Sequence, residues 1–143
     1  SPDGITWQQW DESVLEGTAG SWDDVVVSHN HVVADPNGGY HLFYFGTSKG
    51  TYEYSEKRGA VMIAGNIGHA YSEDGIKWEK DANPVLSVVP NSWEAWMVGG
   101  PSALIQDNQV KLWYFGSGVY NKYKFNMGMA TTKQPTKNKT VGS

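Results

Sequence analysis

Apolar residues in this chain fall in short alternating runs, each closed by a cluster of Gly, Pro, Asn or Asp, and that pattern predicts strands. Residues 5–10 alternate weakly after Asp3-Gly4 and predict a short strand. Residues 11–24 are polar and predict a loop ending in Trp22-Asp23-Asp24, after which a β-branched run predicts a strand over 25–34. Asp35-Pro36-Asn37-Gly38-Gly39 is a strong turn signal, so that strand and a second over 40–45 form a hairpin. In the second strand Leu42 and Tyr44 face one way and Phe43 and Phe45 the other. Both faces are apolar, so both need cover. Residues 47–65 read as a polar excursion, followed by strands over 67–71 and 76–79 around the turn at Ser72-Glu73-Asp74-Gly75. Further strands are predicted near 97–105, 110–115 and 126–131, with a frayed tail beyond 132.

The order of these elements is duplicated. Ser1-Pro2-Asp3-Gly4-Ile5-Thr6-Trp7 returns as Ser72-Glu73-Asp74-Gly75-Ile76-Lys77-Trp78, and Ser21-Trp22-Asp23 as Ser92-Trp93-Glu94, at a constant offset of 71 residues. The offset drops to 70 where Leu42-Phe43-Tyr44-Phe45-Gly46 matches Leu112-Trp113-Tyr114-Phe115-Gly116, because the preceding turn is one residue shorter. A strand-rich period of this length reads as two tandem four-stranded antiparallel units in one domain. The first unit runs over about 1–71, the second over about 72–132, and the tail is 133–143. Naming the strands of a unit A to D, the chain opens on D, runs A-B-C-D, and continues through A-B-C. The leading strand is what the last sheet lacks, so the expected object is completed by further copies of the chain or by further sequence. Antiparallel order puts the loops entering A and the B-to-C loops at one end, and that end is where function is expected.

Composition narrows the partners. A net charge of −4, with no Lys/Arg cluster, offers little attraction to a phosphate backbone, so nucleic acid is not expected. No apolar run approaches the ~20 residues of a membrane helix. Absence of Cys rules out disulfides and thiolate chemistry and leaves the compartment open. Ser1 falls inside a motif, as in a chain trimmed or cut from something longer.

Trp93-Glu94, Val98, Pro101-Ser102, Leu112-Trp113-Tyr114-Phe115-Gly116, Gly128-Met129-Ala130 and Asn83-Pro84-Val85-Leu86 together resemble the blade repeat of the five-bladed β-propeller glycosidases, the arabinanase, xylosidase and invertase relatives. The resemblance implies an all-β propeller and a carbohydrate pocket where the A strands begin. It implies no cofactor, and carboxylates as acid and base or nucleophile. It also implies a catalytic acid just before the Pro of strand A, and there this chain departs: the matching positions are Gly99-Gly100 in the second unit and Ser28-His29 in the first.

The acids left on the working face are Asp23, Asp24 and Glu94, with Glu53 and Glu56 on the excursion. Asp23 and Glu94 occupy equivalent positions, which suits a carboxylate holding its own loop, whereas Asp24 has no acidic counterpart. Trp22, Trp93 and Trp96 are candidates to stack on sugar rings, Trp96 being outside the duplication. His29 and His31, two apart in a strand, are expected on one side, as sugar contacts or as a pair held for structure; two such ligands do not make a metal site. Asn138-Lys139-Thr140 is a glycosylation sequon that matters only in an exported chain.

Overall fold

The computed structural model describes residues 1–48, 52–55 and 60–133. Among these the chain is all-β, with no helix, and no helix is long and apolar enough to cross a membrane. The first sheet joins β1 (Val26–Ala34), β2 (Tyr40–Thr47), β5 (Asn66–Ser72) and β6 (Glu79–Lys80) in that order, every neighbour antiparallel. Between β2 and β5 the excursion forms its own hairpin, β3 (Tyr52–Ser55) with β4 (Ala60–Ile63). The second sheet joins β7 (Met97–Gln106), β8 (Gln109–Gly118) and β9 (Asn121–Lys133). As the alternation predicted, the turn after β1 closes on Asp35, whose carbonyl accepts from Gly38 N–H at 2.9 Å while its N–H donates to Gly39 at 3.0 Å.

The sheets pack face to face. Phe43 and Ile67 of the first meet Val98, Ala103, Leu112 and Tyr114 of the second in one buried cluster, the main apolar gain of the fold. Backbone bonds stitch the seam as well: Val98 N–H donates to Gly65 at 3.1 Å, and Ile67 pairs with Leu86. The opposite face of the first sheet is covered too, since Tyr44 is fully buried beneath Trp22. The opposite face of the second sheet is not, and Met127 there is 74% exposed.

The expected strand over residues 5–10 does not form. Ile5 is 84% and Trp7 73% exposed, and no strand pairs with them. Alternation selects an extended backbone, but a strand also needs an edge to bond, and this segment lies against none. The turn before it is nevertheless built. Asp3 Oδ1 accepts from Ile5 and Thr6 N–H at 2.9 and 2.8 Å, as Asp74 Oδ1 accepts from Ile76 and Lys77 at 2.8 and 2.9 Å. Gly4 and Gly75 take the same left-handed φ, 72° and 77°.

One polar chain runs through the first sheet from a buried end at Asp35 to an exposed end at Asp81. Asp35, His41, His69 and Asp81 are linked in series: Asp35 Oδ2 to His41 Nε2 at 3.1 Å, His41 Nδ1 to His69 Nε2 at 2.9 Å, and His69 Nδ1 to Asp81 Oδ2 at 2.9 Å. Burial holds His69 below its ordinary value, although Asp81 pulls the other way.

Candidate functional site

The end at which β1 and β7 begin gathers most of the residues singled out above, and the structure divides them into those that hold the sheets and those that remain available. Asp23 is 1% exposed; Tyr44 Oη donates to it at 3.0 Å, Lys80 Nζ at 2.7 Å and Thr18 N–H at 3.2 Å. Burial pushes its carboxyl up, but Lys80 and the two further donors outweigh that and hold it below the ordinary range. Glu94 is likewise buried and accepts from Tyr114 Oη at 2.7 Å; burial and then this carboxylate push the Tyr114 hydroxyl up to about 12. Both acids are used in holding the loop before an inner strand to the sheet behind it.

Trp22 and Trp93 sit in matched surroundings. Each indole stacks on the tyrosine of its sheet, Trp22 on Tyr44 at 5.8 Å and 17°, Trp93 on Tyr114 at 6.2 Å and 19°. Each also lies on a floor of two glycines. A Cβ at Gly46 would fall 2.5 Å from Trp22 and one at Gly68 2.8 Å from it; at Gly116 and Gly128 the approaches to Trp93 are 2.9 and 3.0 Å. Trp93 differs in keeping one side open to solvent. There it lines a hollow of about 240 Å³ together with Ser92, Tyr120, Asn121, Lys124 and Asn126. Amides, a hydroxyl, an ammonium and an aromatic plane are the groups that suit a polyhydroxylated ring.

His29 and His31 differ in their surroundings. β1 carries a bulge between Ser28 and His31, and the extra residue breaks the alternation on which the expectation of a shared side rested. His31 turns to the second sheet, where Ala103 N–H donates to its Nδ1 at 2.9 Å. His29 stays exposed, its Nδ1 3.0 Å from Ser28 Oγ and its ring edge-on to Phe45. Its φ is +45°, a left-handed value that costs a non-glycine residue about 1 kcal/mol or more. β7 bulges at the matching place, between Gly99 and Ser102, where Gly100 takes φ +55°.

That bulge explains the missing acid. A Cβ at Gly99 would lie 2.9 Å from Phe45 and 3.2 Å from Phe115, and one at Gly100 would overlap Phe115 at 2.3 Å. Two aromatic rings occupy the space into which a carboxylate would project. Asp24 and Trp96 are half-buried beside the first residues of β1 and β7, and Trp96 N–H donates to Ser117 at 2.9 Å. Of Glu53 only the backbone place in β3 is described; Glu56, the tail from 134 and the sequon lie outside the described residues. Among the described residues no three His, Cys, Asp or Glu converge as metal ligands. The Trp93 hollow is not legible from residue order, because its wall comes from two segments some 25 residues apart, Ser92-Trp93 and Gly118–Asn126.

No protein-family model matches the chain. A β-1,2-mannobiose phosphorylase of Thermoanaerobacter sp. (strain X514) is 33% identical over 99 residues, which is 68% of this chain and 32% of that protein. Among solved structures, a putative glycosidase from Bacteroides thetaiotaomicron VPI-5482 superposes with a TM-score of 0.66 at 13% identity, over 85% of this chain and 37% of that one. A family 117 glycoside hydrolase from Zobellia galactanivorans gives 0.62 at 14%, over 82% and 38%. The chain thus spans about a third of the proteins it matches, and over that third its all-β fold is the propeller-like one found in glycoside hydrolases.

Proposed function

We propose that the two sheets are tandem blades of a carbohydrate-active β-propeller, and that the end where β1 and β7 begin binds a sugar. The observation that carries this reading is His29: an exposed side chain kept in left-handed strain at a bulge whose counterpart is glycine. Strain at an exposed position is retained when the side chain has a use. His29 supplies ring N–H or lone pair to sugar hydroxyls on the inner edge, with Asp24 and Trp96 on the same end, and the hollow at Trp93 extends the surface outward for a second sugar unit. Oligosaccharides with β-linked mannose are the first class to test, given the phosphorylase relative.

Binding is the primary reading because rings fill the place of the expected acid at Gly99-Gly100. Cleavage is the second reading, and it would rest on Asp24. Titration with β-1,2-mannobiose and with arabino- and xylo-oligosaccharides by calorimetry, and a chromogenic glycoside panel with and without inorganic phosphate, separate the two. Binding is expected to weaken at least about tenfold in His29→Gly and in Trp93→Ala, each worth a hydrogen bond or stacking contact of roughly 1.4 kcal/mol. Turnover abolished in Asp24→Asn supports the enzyme, and binding without turnover the sugar-binding module. No binding of any of these sugars at millimolar concentration overturns the proposal.

A further inference from the structure

The two sheets show what the second one lacks. In the first sheet the outer edge of β5 is closed by β6, with Ala70 opposite Lys80 and Tyr71 opposite Glu79, and Lys80 Nζ reaches Asp23 at 2.7 Å. In the second sheet the matching edge of β9, at Ala130 and Thr131, has no strand beside it among the described residues. Its broad face is open as well. Phe125, Met127 and Met129 are exposed there, whereas Ile67 and His69, which hold the places of Met127 and Met129, are buried against the second sheet or within the first. A strand ready to fill such an edge is present in the same chain. Residues 1–6 already form the turn that precedes β6, hydrogen bond for hydrogen bond, and the segment that follows it projects into solvent with Ile5, Trp7 and Trp10 exposed.

We infer that β9 is an interface for a second copy of this chain, whose residues 7–10 add to its edge as β6 adds to β5. Gln8 then lies opposite Thr131 and Gln9 opposite Ala130. The partner's first sheet covers Phe125, Met127 and Met129, much as the second sheet covers Phe43 and Ile67 within one chain. Such a contact is head-to-tail: each copy offers a donor strand and an acceptor edge, so copies add to one another in series. Among the described residues the segment is not paired with β9 of its own chain. Gln9 takes the place of Lys80, and its amide donates to Glu94 as the Lys80 ammonium donates to Asp23. The interface is independent of sugar binding, so either can fail without the other.

The test is the mass in solution from micromolar to millimolar chain, by light scattering. Wild type assembles with rising concentration. Gln8→Pro removes a backbone donor from the added strand, and Thr131→Pro removes one from the receiving edge, where proline is tolerated in an unpaired strand. Each variant alone stays monomeric while keeping its β circular dichroism. Mixed, they form a one-to-one pair, since one brings an intact edge and the other an intact strand. Gln9→Lys tightens assembly by about tenfold, the worth of a charge-assisted bond over a neutral one, and Glu94→Gln cancels the gain. A wild type monomeric at all concentrations, variants that assemble unchanged, or a mixture of folded variants that stays monomeric each overturns the inference and returns the edge to an occupant within the same chain.

Discussion

Asp23 in the first sheet and Glu94 in the second stand in the same relation to a stacked Trp–Tyr pair, yet three side-chain and backbone donors converge on Asp23, and Tyr114 is the one donor to the Glu94 carboxylate among the described residues. Hydroxyls one residue beyond the paired glycines differ in the same sense. Thr47 Oγ1 donates to Ala64 O at 2.6 Å, whereas Ser117 Oγ is buried without a partner among the described residues. The carbonyl that satisfies Thr47 comes from the long excursion, and the ammonium on Asp23 comes from β6. The difference teaches that the conserved-looking core of a sheet, its Trp, acid, Tyr and glycines, fixes the geometry, while the partners that complete the polar groups arrive from flanking segments.

Breaking the acids separates the two sheets most. Asp23→Ala leaves Lys80 with the Glu16 carbonyl and strands the Tyr44 hydroxyl, and costs about 3 kcal/mol, the low end for a buried pair because Lys80 is partly solvated and keeps that second acceptor. Glu94→Ala loses one hydrogen bond and costs about 1–2 kcal/mol. Denaturant unfolding of both variants measures the gap, and equal costs would mean that Lys80 adds nothing. Next is the glycine floor. Gly46→Ala drives a methyl into Trp22 and costs about 2–3 kcal/mol, while Gly116→Ala meets Trp93 and the Glu94 Cβ at 2.9 Å each and costs about 1–2 kcal/mol, less because that indole has solvent to move into. The smallest effect is one of pH. His69 is held below its ordinary value, so the unfolded ring takes a proton near pH 6.5 that the folded ring refuses. Stability is full above that pH and declines as the pH falls below it. Asp35, Asp81, His41 and Tyr71 are the titratable groups facing the ring pair. Met129 holds the matching place in the second sheet, and His69→Met is expected to flatten the dependence of Tm between pH 7 and 5.

Much of the architecture was legible from residue order. The Asp35–Gly39 turn, the two-sided apolar strand at 40–45 and the Trp–acid pairs could be read because they depend on local patterns that the chain shows twice. What could not be read depends on register. The bulge in β1 adds a residue that alternation has no means to show, and with it the left-handed φ of His29. His41 and His69 are 28 residues apart, and their contact exists because β2 and β5 bring them to adjacent pairs, His41 to Tyr71 and His69 to Phe43. Gly99-Gly100 was visible as a departure from the expected acid. Its cause, the rings of Phe45 and Phe115, comes from two different sheets.

The paired glycines have an optical consequence. Because nothing but backbone lies beneath them, the indoles of Trp22 and Trp93 are held flat and close to a single tyrosine each, at nearly the same tilt. Two such chromophore pairs give near-ultraviolet dichroism of similar form, but Trp22 is shielded and Trp93 is partly in contact with water, so their fluorescence differs in colour and in quenching by iodide. With the other five tryptophans replaced by phenylalanine, each sheet carries a reporter of its own, by which the melting of one can be followed in the presence of the other.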